Sequence, residues 1–373
     1  MTAGVGRNGG GTSEVVPRLC EALLKQGHEV RLLAISSVEI SHSAINARAA
    51  GVDIRLYKKD RLFSRIAYGY SSELLKEIKE GIKWGEIIHT HGLWQLPPIY
   101  AAFNAYKAER PYVMQPHGFL EPERLKVSKS KKSIVGAIIE RPMLNHAEAV
   151  IATSESEAEG IRRYGVKRPI HIMPIGLDTE KYRLSACTGK TLLYFSRITP
   201  IKGLDMLAEV WGRIDRQGWK LLIVGPDDRG YTDEMKRLFA VRCPSESYEF
   251  RPPVFGDEKF KLLSSVDALI LPTRSENWSI AVAEAMVSGL PVVCTKGAPW
   301  KCLNDVKAGW WVDVSEAGLE QGLSEMMKLT NEERKAYGWR GHEWCEHHLS
   351  WGKIAQDMSS YYAECISHYN HKA

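Results

Sequence analysis

The feature that most constrains this chain is a rhythm of short apolar runs, each followed by a loop of Gly, Pro, Ser or charge and then a helical pattern. Such alternation is the mark of βα units building parallel sheets. In the first half, strands are expected near Val30 to Ala34, Asp53 to Leu56, Ile87 to Thr90, Tyr112 to Gln115, Ala149 to Ala152 and His171 to Met173. The second half repeats it near Leu192 to Phe195, Lys220 to Val224, Tyr248 to Arg251, Ala268 to Leu271, Pro291 to Cys294 and Trp310 to Val312. Two sets of six predict two doubly wound α/β domains, which suits a length of 373 residues. With 44% hydrophobic and 25% charged residues, disordered and collagen-like readings are excluded.

The polar stretch from Gly176 to Lys190 separates the two sets. It predicts a boundary there, with a cleft opening at it. Lys and Arg number 50 against 45 Asp and Glu, a net charge of +5 that is too mild to argue for nucleic acid. Seven cysteines at scattered positions form no Cys-x-x-Cys pair, so a reduced compartment and no disulfide framework are expected. Neither an apolar run of membrane-spanning length nor a signal-peptide h-region is visible, which predicts a cytoplasmic protein.

Three motifs carry chemistry. The first, Gly4-Val5-Gly6-Arg7-Asn8-Gly9, fits G-x-G-x-x-G, but only Met1, Thr2 and Ala3 precede it, so the dinucleotide reading is weak. Gly9, Gly10 and Gly11 then lead to Thr12 or Ser13 as N-cap of a helix ended by Gly27. Glycines feeding a helix N-terminus suit an anion; a plain N-terminal turn is the bland alternative. A doubly wound domain places its first strand just before such a loop, and here that strand is missing or truncated, as a truncated or misassigned start would make it.

The second motif is Glu276-Asn-Trp-Ser-Ile-Ala-Val-Ala-Glu284, following an apolar strand and opening a helix near Ser279. Amides of Asn277, Trp278 and Ser279 at the helix start and the carboxylate of Glu284 could hold a ribose and sugar hydroxyls. An ordinary helix with a capping and a solvated Glu has the same spacing. The third motif puts Arg197 and Lys202 just beyond a buried strand, where open α/β sheets bind ligands. Arg can fork onto phosphate oxygens and Lys can add a point charge; two surface cations are the alternative.

Taken together, these segments resemble the family-4 retaining glycosyltransferases of the GT-B fold. The resemblance rests on Gly9-Gly-Gly-Thr-Ser-Glu-Val-Val, Ile88-His-Thr-His-Gly-Leu-Trp, Pro116-His-Gly, Pro174-Ile-Gly-Leu-Asp178, Arg197 with Lys202, Val224-Gly-Pro, and the spaced Glu276 and Glu284. Gly297-Ala-Pro-Trp300 and Gly309-Trp-Trp-Val-Asp313 are similar to members that build bacterial surface polysaccharides. The resemblance implies two Rossmann-like domains facing across a cleft: an acceptor-binding domain over residues 1–176, a nucleotide-sugar-binding domain over 177–348, and a final helix over 349–373 that crosses back. It makes Arg197 and Lys202 ligands of the diphosphate, Glu284 a ribose ligand, Glu276 a contact to the donor sugar and His117 a neighbour of the reacting sugar, with His91 open between a site and a core role. Gly10, Gly11 and Gly225 join the donor site. Ile175 and Trp278-Ser279 depart from the family's usual Asn and Phe-Gly, which bears on the donor-sugar pocket.

The implied reaction is retaining transfer from a UDP- or GDP-sugar to a saccharide or lipid-linked acceptor, with no metal or other cofactor and no nucleic acid. Two rivals stay open: a sugar-nucleotide epimerase of the same fold, and a catalytically disabled sugar-nucleotide-binding protein. Lys126, Lys129, Lys131 and Lys132 before Ile134-Val-Gly-Ala-Ile-Ile could touch anionic lipid at the inner face of a membrane, or form a solvated face beside a core helix. His342-Glu343 and His347 lack the His-Glu-x-x-His spacing of a zinc site.

Overall fold

The computed structural model describes residues 1–6, 11–60, 69–121, 124–125 and 134–372. The chain divides into two compact units, Met1–Gly176 with Trp351–Ala373, and Leu177–Ser350. The second unit ends two residues later than the sequence suggests. Leu349 closes the helix Asn331–Leu349 and its carbonyl accepts the Leu177 N–H at 2.6 Å, which ties it to that unit.

In the second unit, six parallel strands run in the order β12-β11-β10-β7-β8-β9. Their ranges are β7 Thr191–Phe195, β8 Lys220–Val224, β9 Tyr248–Arg251, β10 Ala268–Leu271, β11 Val292–Thr295 and β12 Gly309–Val312. Every residue of β10 and β11 is buried, the near-continuous apolar pattern of strands covered by helices on both faces. Tyr194, Ile223 and Ile270 pack with Trp211 and Phe239 in one core. From β7 the chain builds outward through β8 and β9, then returns to the other side of β7 for β10. The strand order therefore reverses at β7 and β10, and the loops at their carboxyl ends diverge from that point.

The first unit has a four-stranded parallel sheet, β3 (Ile88–His91), β4 (Tyr112–Gln115), β5 (Ala149–Ala152) and β6 (Ile170–Ile172), and a parallel pair, β1 (Arg31–Ile35) and β2 (Asp53–Tyr57). The stretch before the glycine loop fills the gap between them. Thr2 bridges His91 and Gly4 bridges Ile35, both parallel, with the His91 N–H on the Met1 carbonyl at 2.9 Å. The place of the first strand is thus held by single bridges, and the sheet reads in the same sense as that of the second unit.

The first helix, Gly11–Lys25, starts ahead of the expected caps Thr12 and Ser13. Pro17 inside it cannot donate to the Ser13 carbonyl, and Ser41 Oγ supplies that bond instead at 2.8 Å. Leu19, Ala22 and Leu23 of this helix pack on Ile354, Ala355 and Met358 of the final helix, Trp351–Lys372. All seven cysteines are free thiols.

Candidate active site

At the switch point of the second unit, the loop after β7 runs from Ser196 to Lys202 and the loop after β10 from Pro272 to Ser279. Arg274 and Thr273 fasten the two: the Arg274 N–H and Thr273 Oγ1 donate to the Ile201 carbonyl at 2.8 and 3.2 Å. The Arg274 guanidinium forks onto both oxygens of Asp205 at 2.8 Å and reaches the Pro200 carbonyl at 2.7 Å. Gly203, at φ 69°, permits this contact because a β-carbon there would overlap the Pro272 carbonyl oxygen.

So framed, Lys202 Nζ forms an ion pair with the Glu276 carboxylate, both side chains more than three-quarters covered. Arg197 lies exposed. Burial first, and then the Arg197 charge, push the Lys202 ammonium down to about 8. Gly225 has a backbone reason: its missing β-carbon leaves room for the Ser196 carbonyl, which crosses the end of β8.

Trp278 is buried and its ring packs on Trp300 at 4.7 Å, while its carbonyl accepts the Trp300 indole N–H. Its side chain is a core element, so only backbone groups of this residue suit a ligand. Ser279 takes φ 67° just before the helix Ile280–Val287, a strained conformation for a residue with a β-carbon. Glu284 is 5% exposed and already partnered. Its Oε1 accepts the Tyr182 hydroxyl at 2.9 Å and pairs with Lys259, on the helix Asp257–Ser264. Tyr182 and Lys259 escaped the sequence reading, since neither sits in a motif. The structure therefore brings Lys202 and Glu276 together directly and gives Glu284 its own cation.

In the first unit, His117 sits after β4 at φ 56° and His91 ends β3. Their rings stack at 5.2 Å, with His91 Nδ1 and His117 Nε2 3.0 Å apart, so the N–H of one donates a hydrogen bond to the ring nitrogen of the other. Burial pushes the His117 imidazole down to about 4. Burial and the neighbouring imidazoles hold His91 well below its usual range, which leaves the pair neutral at pH 7. His91 also borders a pocket of about 540 Å³ lined by Thr2, Gly4, Thr12, Ser13 and Gln95. Gly11 opens the adjoining helix, and Gly10 lies outside the described residues.

Nearby, Glu140 is fully buried and accepts the Trp94 N–H at 2.6 Å. Burial raises its carboxyl to about 7, beside Tyr164 and Arg141. Because the folded value lies above the unfolded one of 4.5, the folded state binds the extra proton and loses stability as pH rises from about 4.5 to 7. The full loss above pH 7 is about 3 kcal/mol. Urea unfolding of Glu140→Gln should therefore show a stability gain over the parent that is larger at pH 8 than at pH 5; equal gains at both would refute it.

Among the described residues no group of three His, Cys, Asp or Glu side chains could hold a metal ion. Lys126, Lys129, Lys131 and Lys132 lie outside the described residues, whereas Ile134 and Ile138 are 63% and 70% exposed. No described helix is long and apolar enough to cross a membrane.

Comparison with known proteins follows the same division. Residues 9–181 match the family model described as Glycosyltransferase Family 4, and residues 189–328 that described as Glycosyl transferases group 1. A GDP-mannose:cellobiosyl-diphosphopolyprenol alpha-mannosyltransferase of Xanthomonas oryzae pv. oryzae is 24% identical over 71% of this chain and 70% of the relative. A D-inositol 3-phosphate glycosyltransferase of Corynebacterium efficiens is 23% identical over 98% of this chain and 92% of its own. Among solved structures, sucrose-phosphate synthase from Thermosynechococcus elongatus superposes with a TM-score of 0.74 at 18% identity, covering 98% of both chains. Anabaena HepE in complex with UDP and glucose gives 0.73 at 16% identity, covering 97% of this chain and 98% of that one.

Proposed function

Because the chain belongs to the glycosyltransferases of the GT-B fold, a family 4 half followed by a group 1 half, we propose that it is a retaining enzyme. It moves a sugar from a nucleoside diphosphate to a saccharide or lipid-linked saccharide during bacterial surface polysaccharide or lipopolysaccharide assembly. The observation that carries this reading is Lys202 held against Glu276 at the strand reversal of the second unit.

On this reading the resting ion pair opens when the donor arrives. Lys202 and Arg197 turn to the diphosphate, and Glu276 turns to sugar hydroxyls. Glu284, with Lys259 and Tyr182 behind it, takes the ribose diol, and the amides of Asn277 to Ser279 face the phosphates. The bond from the anomeric carbon to the phosphate oxygen breaks as the acceptor oxygen attacks on the same face. The acceptor proton passes to the departing phosphate, and preorganised positive charge stabilises that leaving group. His117 contributes at the reacting sugar. No metal is assigned a role.

The Xanthomonas relative, named for a diphosphopolyprenol acceptor, supports the lipid-linked alternative. The exposed Ile134 and Ile138, next in sequence to four lysines, support peripheral contact with anionic lipid. Co-sedimentation with phosphatidylglycerol vesicles reads that contact.

The test is a thermal-shift series with GDP-mannose, UDP-glucose and ADP-glucose in EDTA. A ligand at one hundred times its dissociation constant stabilises by about 2.7 kcal/mol. One class of nucleotide should raise the melting temperature without metal; no shift from any of them, or a shift only with a divalent ion, would sink the reading.

A further inference from the structure

The two facing histidines sit where their strands end, His91 as the last residue of β3 and His117 in the turn after β4. His117 and Gly118 take φ of 56° and 74°, and Gly92 and Trp94 take 86° and 63°, so the backbone turns sharply just after each strand. A buried carboxylate catches each loop. Glu157, 2% exposed in the first turn of the helix Glu155–Arg163, accepts the Gly118 N–H on Oε1 at 2.5 Å. Its Oε2 accepts both the N–H and the hydroxyl of Thr153 at 2.7 Å. Glu140 closes a π-helical turn, Gly136–Glu140, and accepts the Trp94 N–H; such turns gather at functional sites.

Glu157 is the more telling, because Ser154-x-x-Glu157 has the spacing of a capping box. There the glutamate would return to the Ser154 N–H. Ser154 does accept the Glu157 N–H, at 3.2 Å, but the carboxylate reaches away to a loop 39 residues earlier. A local helix cap has no need of that contact.

We propose that Glu157 and Glu140 are positioning residues, two buried carboxylates that fix the left-handed turns that carry His117 and follow His91, so that the imidazoles meet at one geometry. The inference rests on the reading that His117 serves sugar transfer, with His91 as its hydrogen-bond partner, and it deepens that reading. Neither glutamate touches substrate. Each acts through one backbone N–H.

The test is an NMR titration of histidine-labelled protein, with His117 and His91 assigned from single His→Gln variants. A Gln at 157 cannot accept from both Gly118 and Thr153, so Glu157→Gln should let water reach His117 and move its titration midpoint upward from about 4 by at least one pH unit. Thr153→Val spares the Gly118 bond and should leave His117 where it is. Glu140→Ala should shift the His91 resonance, whereas Glu140→Gln, whose oxygen still accepts from Trp94, should not. This second pair decides the matter if Glu157→Gln fails to fold. Equal shifts in Glu157→Gln and Thr153→Val, or an unmoved His117, would overturn the proposal.

With a sugar nucleotide that the parent turns over, kcat should fall at least tenfold in Glu157→Gln while donor KM stays within twofold. A parent with no transfer activity would count against the proposed reaction alone, since the titration stands without it.

Discussion

Lys202→Ala is expected to weaken GDP or UDP binding by about 100-fold and to slow transfer by about 10² to 10³-fold, the range seen when one preorganised charge-stabilising donor is removed. The asymmetry with Arg197 makes the prediction specific. Arg197 is exposed, so water replaces much of its contact with phosphate, and Arg197→Ala should cost about tenfold in affinity. Lys202 is largely covered and faces the Glu276 carboxylate. Its removal deletes a cation and also leaves that carboxylate unopposed where an anionic diphosphate must enter, so repulsion adds to lost attraction. Adding Glu276→Gln to Lys202→Ala should then recover part of the nucleotide affinity, although not the transfer rate if Glu276 holds the sugar. Because the Lys202 ammonium is pushed down to about 8, kcat/KM should fall as pH rises through 8 and the cation is lost. Calorimetry with GDP and UDP, with pH profiles of the three variants, checks this; equal losses for Arg197→Ala and Lys202→Ala, or a double variant weaker than the single, would contradict it.

Much of the architecture was legible because buried parallel strands write themselves as uninterrupted apolar runs. All twelve strands lie within one residue of their expected limits at each end. Five of them coincide with those limits fully, among them Ala149–Ala152 and Ala268–Leu271, whose every residue is buried. Strand order was not legible, and with it the pairing of Lys202 with Glu276. Those two residues meet only because β10 returns to the far side of β7. The segment before the glycine loop read as a missing strand because Thr2 to Gly6 has no apolar run; single bridges to β1 and β3 nonetheless hold it in the central place. Trp278 looked like a donor-site residue from its neighbours in sequence, yet its ring belongs to a tryptophan core. The supports of the site were invisible for one shared reason. Lys259, Tyr182, Asp205 and Arg274 act through contacts made by folding, and none of them sits at a spacing that marks it.

Gly225→Ala should abolish measurable GDP and UDP binding while leaving the second unit folded, and the reason lies in where the strain can go. A β-carbon at 225 would lie well inside contact distance of the Ser196 carbonyl oxygen, and of its carbon, so one backbone must move. β7 and β8 are locked in register up to Phe195 and Val224, deep in the sheet, and overpacking there would cost about 1 to 3 kcal/mol. The lighter path is outward. The chain from Ser196 onward is held over β8 by the Ser196 N–H on the Val224 carbonyl at 3.2 Å, the Ile198 N–H on the Pro226 carbonyl at 2.9 Å and the Asp228 N–H on the Ile198 carbonyl at 3.2 Å. Displacing that crossing carries Arg197 and Lys202 away together, and a shift near 1 Å is enough to ruin a positioned charge. Gly218→Ala provides the contrast. Gly218 takes φ 83° in a turn whose β-carbon position is free of close contacts, so alanine should cost about 1 kcal/mol of strain and leave nucleotide affinity intact. Thermal melts paired with GDP and UDP calorimetry separate the two, since both variants should melt a few degrees low while only Gly225→Ala loses its ligand. Binding at the parent's affinity in Gly225→Ala would mean that the crossing at Ser196 does not place the cations.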